Sequence, residues 1–205
     1  MERYEQILEY WFGGVADHLE SMSENRPEYM KARLELWFGG TPEIDWHIRQ
    51  NYEADLMKAE KGVLEAWKVS PRGALAFVIL CDQFSRNIYR DQPRGISFDT
   101  LALKTCLDSI EKGFDQQVSL IERSFFYMPM MHSEDLEVEK EGVQRFAHLR
   151  NAAPNEWKSL FANFHHYAEM HLDMIDRFGR FPDRNEMLGR KSTPEEIEAL
   201  KDYPF

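Results

Sequence analysis

Between Met170 and Arg190 the chain reads MHLDMIDRFGRFPDRNEMLGR, gathering His171, Arg177, Arg180, Arg184 and Arg190 at a helix end and in the loop after it. Four guanidiniums in a chain of formal net charge -11 need a local reason. They either tie the fold together through carboxylates or face an anionic ligand with planar, two-pronged donors. At 100° per residue His171 falls inside the apolar stripe of Phe164 and Ile175, so it is expected to be buried. His165 and His166 fall at the flank and the back, where solvent is expected, and Arg177 points outward.

Two other segments place polar groups against the helical pattern. Asp82-Gln83-Phe84-Ser85-Arg86-Asn87-Ile88-Tyr89-Arg90 directly continues the all-apolar run Ala74–Cys81. Asp82, Arg86 and Arg90 are four apart and share a helix face, with acid before base as an ion pair along a helix prefers. Burial of Asp82 and Gln83 follows from the buried turns before them. Asp82, Gln83, Arg86, Asn87 and Arg90 read either as internal struts or as ligand-facing groups. In Tyr127–Asp135, His132 stands beside a helix start, where an imidazole serves as acid, base or carbonyl partner. Ser133 is expected to cap that helix. It makes no dyad with His132, because adjacent residues rarely face each other.

A hydrolase built from these parts would use His132 or Glu134 as general base, with His171 as a further candidate and the arginines stabilising negative charge. A metal on His132, His171 and Glu134 or Asp82 lacks any spacing signature: no zincin His pair, no paired-cysteine knuckle and no calcium loop. No metal and no cofactor is therefore expected. Gly39-Gly40 ends a helix rather than opening one after a strand, so no phosphate loop is read there.

The elements that must position these groups are helices. Tyr4, Ile7, Leu8 and Trp11 share one face of residues 3–12. Residues 27–38 place Tyr29, Leu34, Trp37 and Phe38 before Gly39-Gly40. The tetrapeptide Trp-Phe-Gly-Gly at 11–14 and 37–40 is an aromatic-then-glycine stop used twice. Residues 44–61 turn Ile48, Tyr52, Leu56 and Ala59 inward. Ser70-Pro71 opens the central apolar helix. Residues 98–112 carry Leu101, Leu103, Leu107 and Ile110. Val118, Ile121, Phe125 and Phe126 line 116–128, which Pro129 is expected to stop. Ser133 opens a helix running to about Leu149. Asn155 is expected to cap the longest helix, about 156–178, with Trp157, Phe161, Phe164, Ala168, Leu172 and Ile175 inward. Thr193-Pro194-Glu195-Glu196 is a capping box. No hairpin turn signal separates alternating runs, so the fold class is all-α, with about 8–10 helices paired as antiparallel hairpins around a single core.

Composition bounds the rest. Hydrophobic residues are 43% of 205, and no linker-like run divides them, so one domain over 1–205 is expected. An excess of 36 acidic over 25 basic residues argues against nucleic acid and anionic membrane as partners. No apolar run reaches the roughly 20 residues of a membrane span. The acidic start, MERYEQILEYW, is unlike a secretory leader, so a cytoplasmic location is expected. Cys81 and Cys106 sit among aliphatics as core residues. Trp46 and Phe205 are aromatics that could mark a dimer contact, with the oligomeric state left open.

Read together, Leu80–Arg90, Tyr127-Met128-Pro129 with His132-Ser133-Glu134, Arg177-Phe178-Gly179-Arg180-Phe181-Pro182 with Arg184-Asn185, and Leu188-Gly189-Arg190 resemble the bacterial family DUF924, a domain of unknown function. Trp67 with Pro71 and the closing Ser192–Glu196 also fit, so the resemblance spans nearly the whole chain. Two departures stand out. The family pattern carries proline at the position of Ser85 and histidine at that of Asp183, and losing that histidine weakens any multi-histidine metal site. The resemblance implies a TPR-like array of helix pairs with a concave face on which the three segments converge. Arg86, Arg90, Arg180 and Arg184 would offer forks to a small anionic molecule or the acidic end of a peptide. His132 and His171 would add directional hydrogen bonds, and Arg177 and Asn185 complete the candidate set. The alternatives are a protein-interaction module with these motifs as internal struts, or the hydrolase above.

Overall fold

The computed structural model describes residues 1–14 and 26–203, all helix and connecting turns, with no strand among them. No helix among these residues is long and apolar enough to cross a membrane. Phe205 and the side chain of Tyr29 lie outside the described residues. The chain divides into two compact units, Met1–Phe126 and Tyr127–Phe205.

In the first unit, α1 (Arg3–Phe12) buries Ile7, Leu8, Trp11 and Phe12 and stops at Gly13 in the left-handed region, φ 52°. α2 (Arg26–Phe38) turns Trp37 inward, while Leu34 and Phe38 lie exposed. The Trp37 indole donates to the Trp11 carbonyl at 2.9 Å, and these two rings with Phe12 and Phe125 form an edge-to-face cluster. α3 (Pro42–Glu60) is capped by Thr41 and buries Ile48, Tyr52, Leu56 and Ala59. Trp46 near its start is exposed.

Ser70 caps α4 (Pro71–Val78), and residues 74–81, which run from it into the next turn, are fully buried. The helix does not simply run on. Ile79–Phe84 widens into a π-helix before α5 (Ser85–Ile88), and the helix ends at Tyr89. Arg90 therefore lies beyond the helix and not on the face expected for it. α6 (Asp99–Glu111) buries the small residues Ala102, Thr105, Cys106 and Ser109, while Leu101, Leu103 and Leu107 are half-buried. Close packing of α6 against α4 selects the small side chains for the contact line. Both cysteines are buried, and neither is in a disulfide.

The division between units falls within α7 (Leu120–Met131). Pro129 lies inside this helix rather than ending it, and only two more residues follow it as helix. In the second unit, α8 (Leu136–Ala152) starts two residues later than expected. Its cap is Asp135, which accepts from the N–H groups of Glu137 and Val138, and Ser133 instead accepts from the Asp135 N–H. Asn155 opens a 3₁₀ turn through Trp157 and makes no side-chain cap on α9 (Lys158–Phe178). α8 and α9 pack as an antiparallel hairpin: Arg150 at the end of α8 meets His165 early in α9, and Leu136 at its start packs on the cluster that includes Met174 and Ile175 near the end of α9. Gly179, φ 65°, turns the chain into the 3₁₀ turn Pro182–Arg184, and the expected capping box opens the short α10 (Pro194–Ala199).

Candidate functional site

The segment 82–90 belongs to the first unit. Widening at Ile79–Phe84 buries Asp82 completely, and its carboxylate accepts from Gln83 Nε2 at 2.5 Å. Arg86 donates from Nη1 to the Asp82 carbonyl at 2.6 Å and lies 3.4 Å from its carboxylate. The same guanidinium forks onto Asp99 of α6, at 2.9 and 3.0 Å. Asn87 and Arg90 converge on another acid: Asp45 of α3 accepts from Asn87 Nδ2 at 2.8 Å and from Arg90 at 2.5 and 2.7 Å. Burial pushes the Asp45 carboxyl up, but the bonds from Arg90 and Asn87 outweigh it and hold it below the usual range. Gly40, φ 60°, gives Arg90 room, since a side-chain carbon there would lie 3.3 Å from the guanidinium.

The other two segments belong to the second unit, which brings most of their polar groups together around Phe181. Glu134 accepts from the Phe181 N–H at 2.9 Å, and both its oxygens accept from Arg190 Nη1, at 2.9 and 3.0 Å, while Arg190 Nη2 donates to the Phe181 carbonyl at 2.8 Å. One ion pair thus clamps both polar backbone groups of Phe181. Burial pushes the Glu134 carboxyl up, yet the bonds from Arg190 and the Phe181 N–H hold it below the usual range. On the clamped ring the Arg184 guanidinium lies 4.4 Å from the centroid, and His171 meets it edge-on at 5.4 Å. The His132 ring is 6.0 Å from that of His171.

His171 is half-buried rather than enclosed, because the chain beyond Gly179 covers only part of its stripe. Its Nδ1 faces the Tyr167 carbonyl at 2.8 Å, which makes Nδ1 the protonated nitrogen of the neutral ring. His165, placed at the surface by the wheel, is buried against Arg150 at 3.1 Å. Burial holds its pKa below the usual histidine value. His166 is exposed as expected.

Arg180 serves a separate knot. It donates to both oxygens of Glu196, at 2.7 and 3.0 Å, and Asn185 and the Thr193 N–H add bonds at 3.2 and 2.7 Å. The Arg180 bond leads in lowering the Glu196 carboxyl to about 2. Arg177 lies outside both knots, exposed and paired with Asp173 one turn back at 3.1 Å.

The acids Asp45, Asp99 and Glu196 that receive these arginines were not among the candidate site residues. Neither was Glu139, fully buried in α8 with no hydrogen-bond partner for either carboxyl oxygen. Burial raises it to about 9 against the pull of Arg184. The wheel carried the signal: Glu139 falls between Leu136 and Phe146 on the inward face. Among the described residues, no group of three or more His, Cys, Asp or Glu is arranged to hold a metal.

The sequence model of a family described as a bacterial protein of unknown function (DUF924) matches residues 7–203. A solved structure similar to the chain is that of ATU0120, a protein of unknown function from Agrobacterium tumefaciens. It is 30% identical, with a TM-score of 0.73 over 94% of this chain and 99% of that one. Among curated proteins none matches.

Proposed function

The chain belongs to the DUF924 family, and from that premise we propose that its second unit binds a small carboxylate, free or at the end of an acidic peptide. The reading rests on one observation. The Glu134–Arg190 clamp holds Phe181 so that an aromatic ring, the Arg184 guanidinium and the imidazoles of His171 and His132 share one neighbourhood. A guanidinium stacked on a ring presents its N–H groups at the edge, in the plane a carboxylate occupies when bound as a fork. The imidazoles donate from the nitrogen facing a ligand when protonated. Against a net charge of -11, a local cationic spot is selective for an anion drawn to it.

Arg86, Arg90, Arg180 and Arg190 are struts in this reading, which their carboxylate pairs support. A carboxylate held low by a guanidinium is a weak base, which supports a positioning role for Glu134 over a catalytic one. A TPR-like arrangement and a cytoplasmic location are part of the same proposal.

The test is a thermal-shift titration with sodium acetate at pH 7, using sodium chloride at matched ionic strength as control. Acetate raises Tm saturably in the native sequence and fails to do so in Arg184→Gln. Equal shifts for chloride and acetate, or an unchanged acetate response in Arg184→Gln, would overturn the reading.

A further inference from the structure

Among the described residues, Glu139 is the buried acid that the fold leaves unanswered. Asp55 is met by Arg3 and Lys58, Asp82 by Gln83 and Arg86, Glu122 by Arg72 and Ser119, and Glu196 by Arg180 and Asn185. Glu139 is enclosed to the same degree, and both its oxygens lack a partner. A polar group left so is costly, and one that persists points to a partner supplied from elsewhere.

Its neighbours say where that partner lies. One turn earlier, Leu136 packs on the cluster of Met174, Ile175 and Phe181. One turn later, Gly142 lies against Met130, where a side-chain carbon would come within 3.1 Å of the methionine Cβ. Glu139 is thus held between two close contacts on the inward face of α8. The charged group whose field reaches it is Arg184, which lies on the Phe181 ring. The other charged and titratable groups around that ring are Glu134 and Arg190, bonded to each other, and the imidazoles of His171 and His132.

Building on the site proposed above, we propose that Glu139 is its proton-donating half: its carboxyl O–H donates to one oxygen of the bound carboxylate, and Arg184 takes the other. One hydroxyl donor beside one guanidinium matches the two oxygens of a single carboxylate. An acid kept neutral by burial does not repel the anion, whereas an ionised one would. With Glu139 raised to about 9, the donor is in place at neutral pH and is lost as pH passes that value. Binding therefore weakens in alkali, above the range in which imidazoles titrate.

Acetate affinity is measured calorimetrically at pH 8 and pH 10 for the native chain, Glu139→Gln and Glu139→Ala, with helicity checked by circular dichroism. The native chain binds about tenfold more weakly at pH 10, following the protonated fraction of Glu139. Glu139→Gln keeps an N–H donor that cannot ionise, so its affinity is the same at both values. Glu139→Ala loses about tenfold at pH 8. If Glu139→Ala does not fold, the comparison of Glu139→Gln with the native chain decides. A pH loss retained in Glu139→Gln, or native affinity in Glu139→Ala, overturns the role of Glu139 and leaves the Arg184 site standing. No acetate binding by the native chain at pH 8 overturns the site itself. Inorganic phosphate binding more tightly than acetate overturns the assignment to a carboxylate.

Discussion

Asp82 shows what a single buried charge contributes. It has no exposure and meets Gln83 and Arg86. Replacing it by alanine removes the local carboxylate for Arg86 and leaves the Gln83 amide without its acceptor. Asp82→Ala is expected to destabilise by about 2–4 kcal/mol, read from the urea midpoint at constant slope. A change below about 0.5 kcal/mol would show that the pair contributes nothing net. Residue burial was legible for Asp82 and Gln83, because eight apolar residues precede them. It was not legible for His165 and His171, whose exposure depends on which chain segment covers the α9 stripe. Nor was Glu139 singled out: an acid near a helix start reads as a dipole partner unless its wheel position is weighed against that.

At the scale of elements, periodicity located the helices and capping chemistry fixed some of their ends. Ser70-Pro71 and the Thr193–Glu196 box stand where a cap is expected, because each bonds only within its own turn, while Thr41 caps α3 two residues ahead of the expected start. Asp135 displaced Ser133 as a cap, since both residues offer a side-chain oxygen and the sequence does not rank them. The π-helical widening at Ile79–Phe84 has no local signal, being a register shift set by packing on both sides. α10 shows how an element too short to persist alone is held. Glu196 closes its capping box and anchors Arg180 and Asn185. Its carboxyl sits near 2 in the fold against about 4.5 for a free glutamate, so its contribution is complete above pH 4.5. That contribution is lost as pH falls towards 2. Proteolysis at the α9–α10 connection is expected to increase over that window in the native chain. Arg180→Gln shows the same cutting already at pH 6, and a flat profile for both proteins would contradict this account.

For the whole molecule, length, acidity and the all-α class were readable from composition and pattern, and the family from its long motifs. Partners across the chain were not readable. Asp45 with Arg90, Asp99 with Arg86, and Glu134 with Arg190 are separated by 45, 13 and 56 residues, distances at which periodicity carries no information. Those pairs turn most of an apparent arginine cluster into internal ties. The central claim is that a carboxylate binds at Phe181, and the most direct test is an NMR titration of the imidazole resonances with acetate at pH 7 and constant ionic strength. The account predicts saturable shifts of the His132 and His171 rings with those of His47, His148 and His166 unmoved. Uniform small drifts of all the rings, or no shift at His132 and His171, would contradict it.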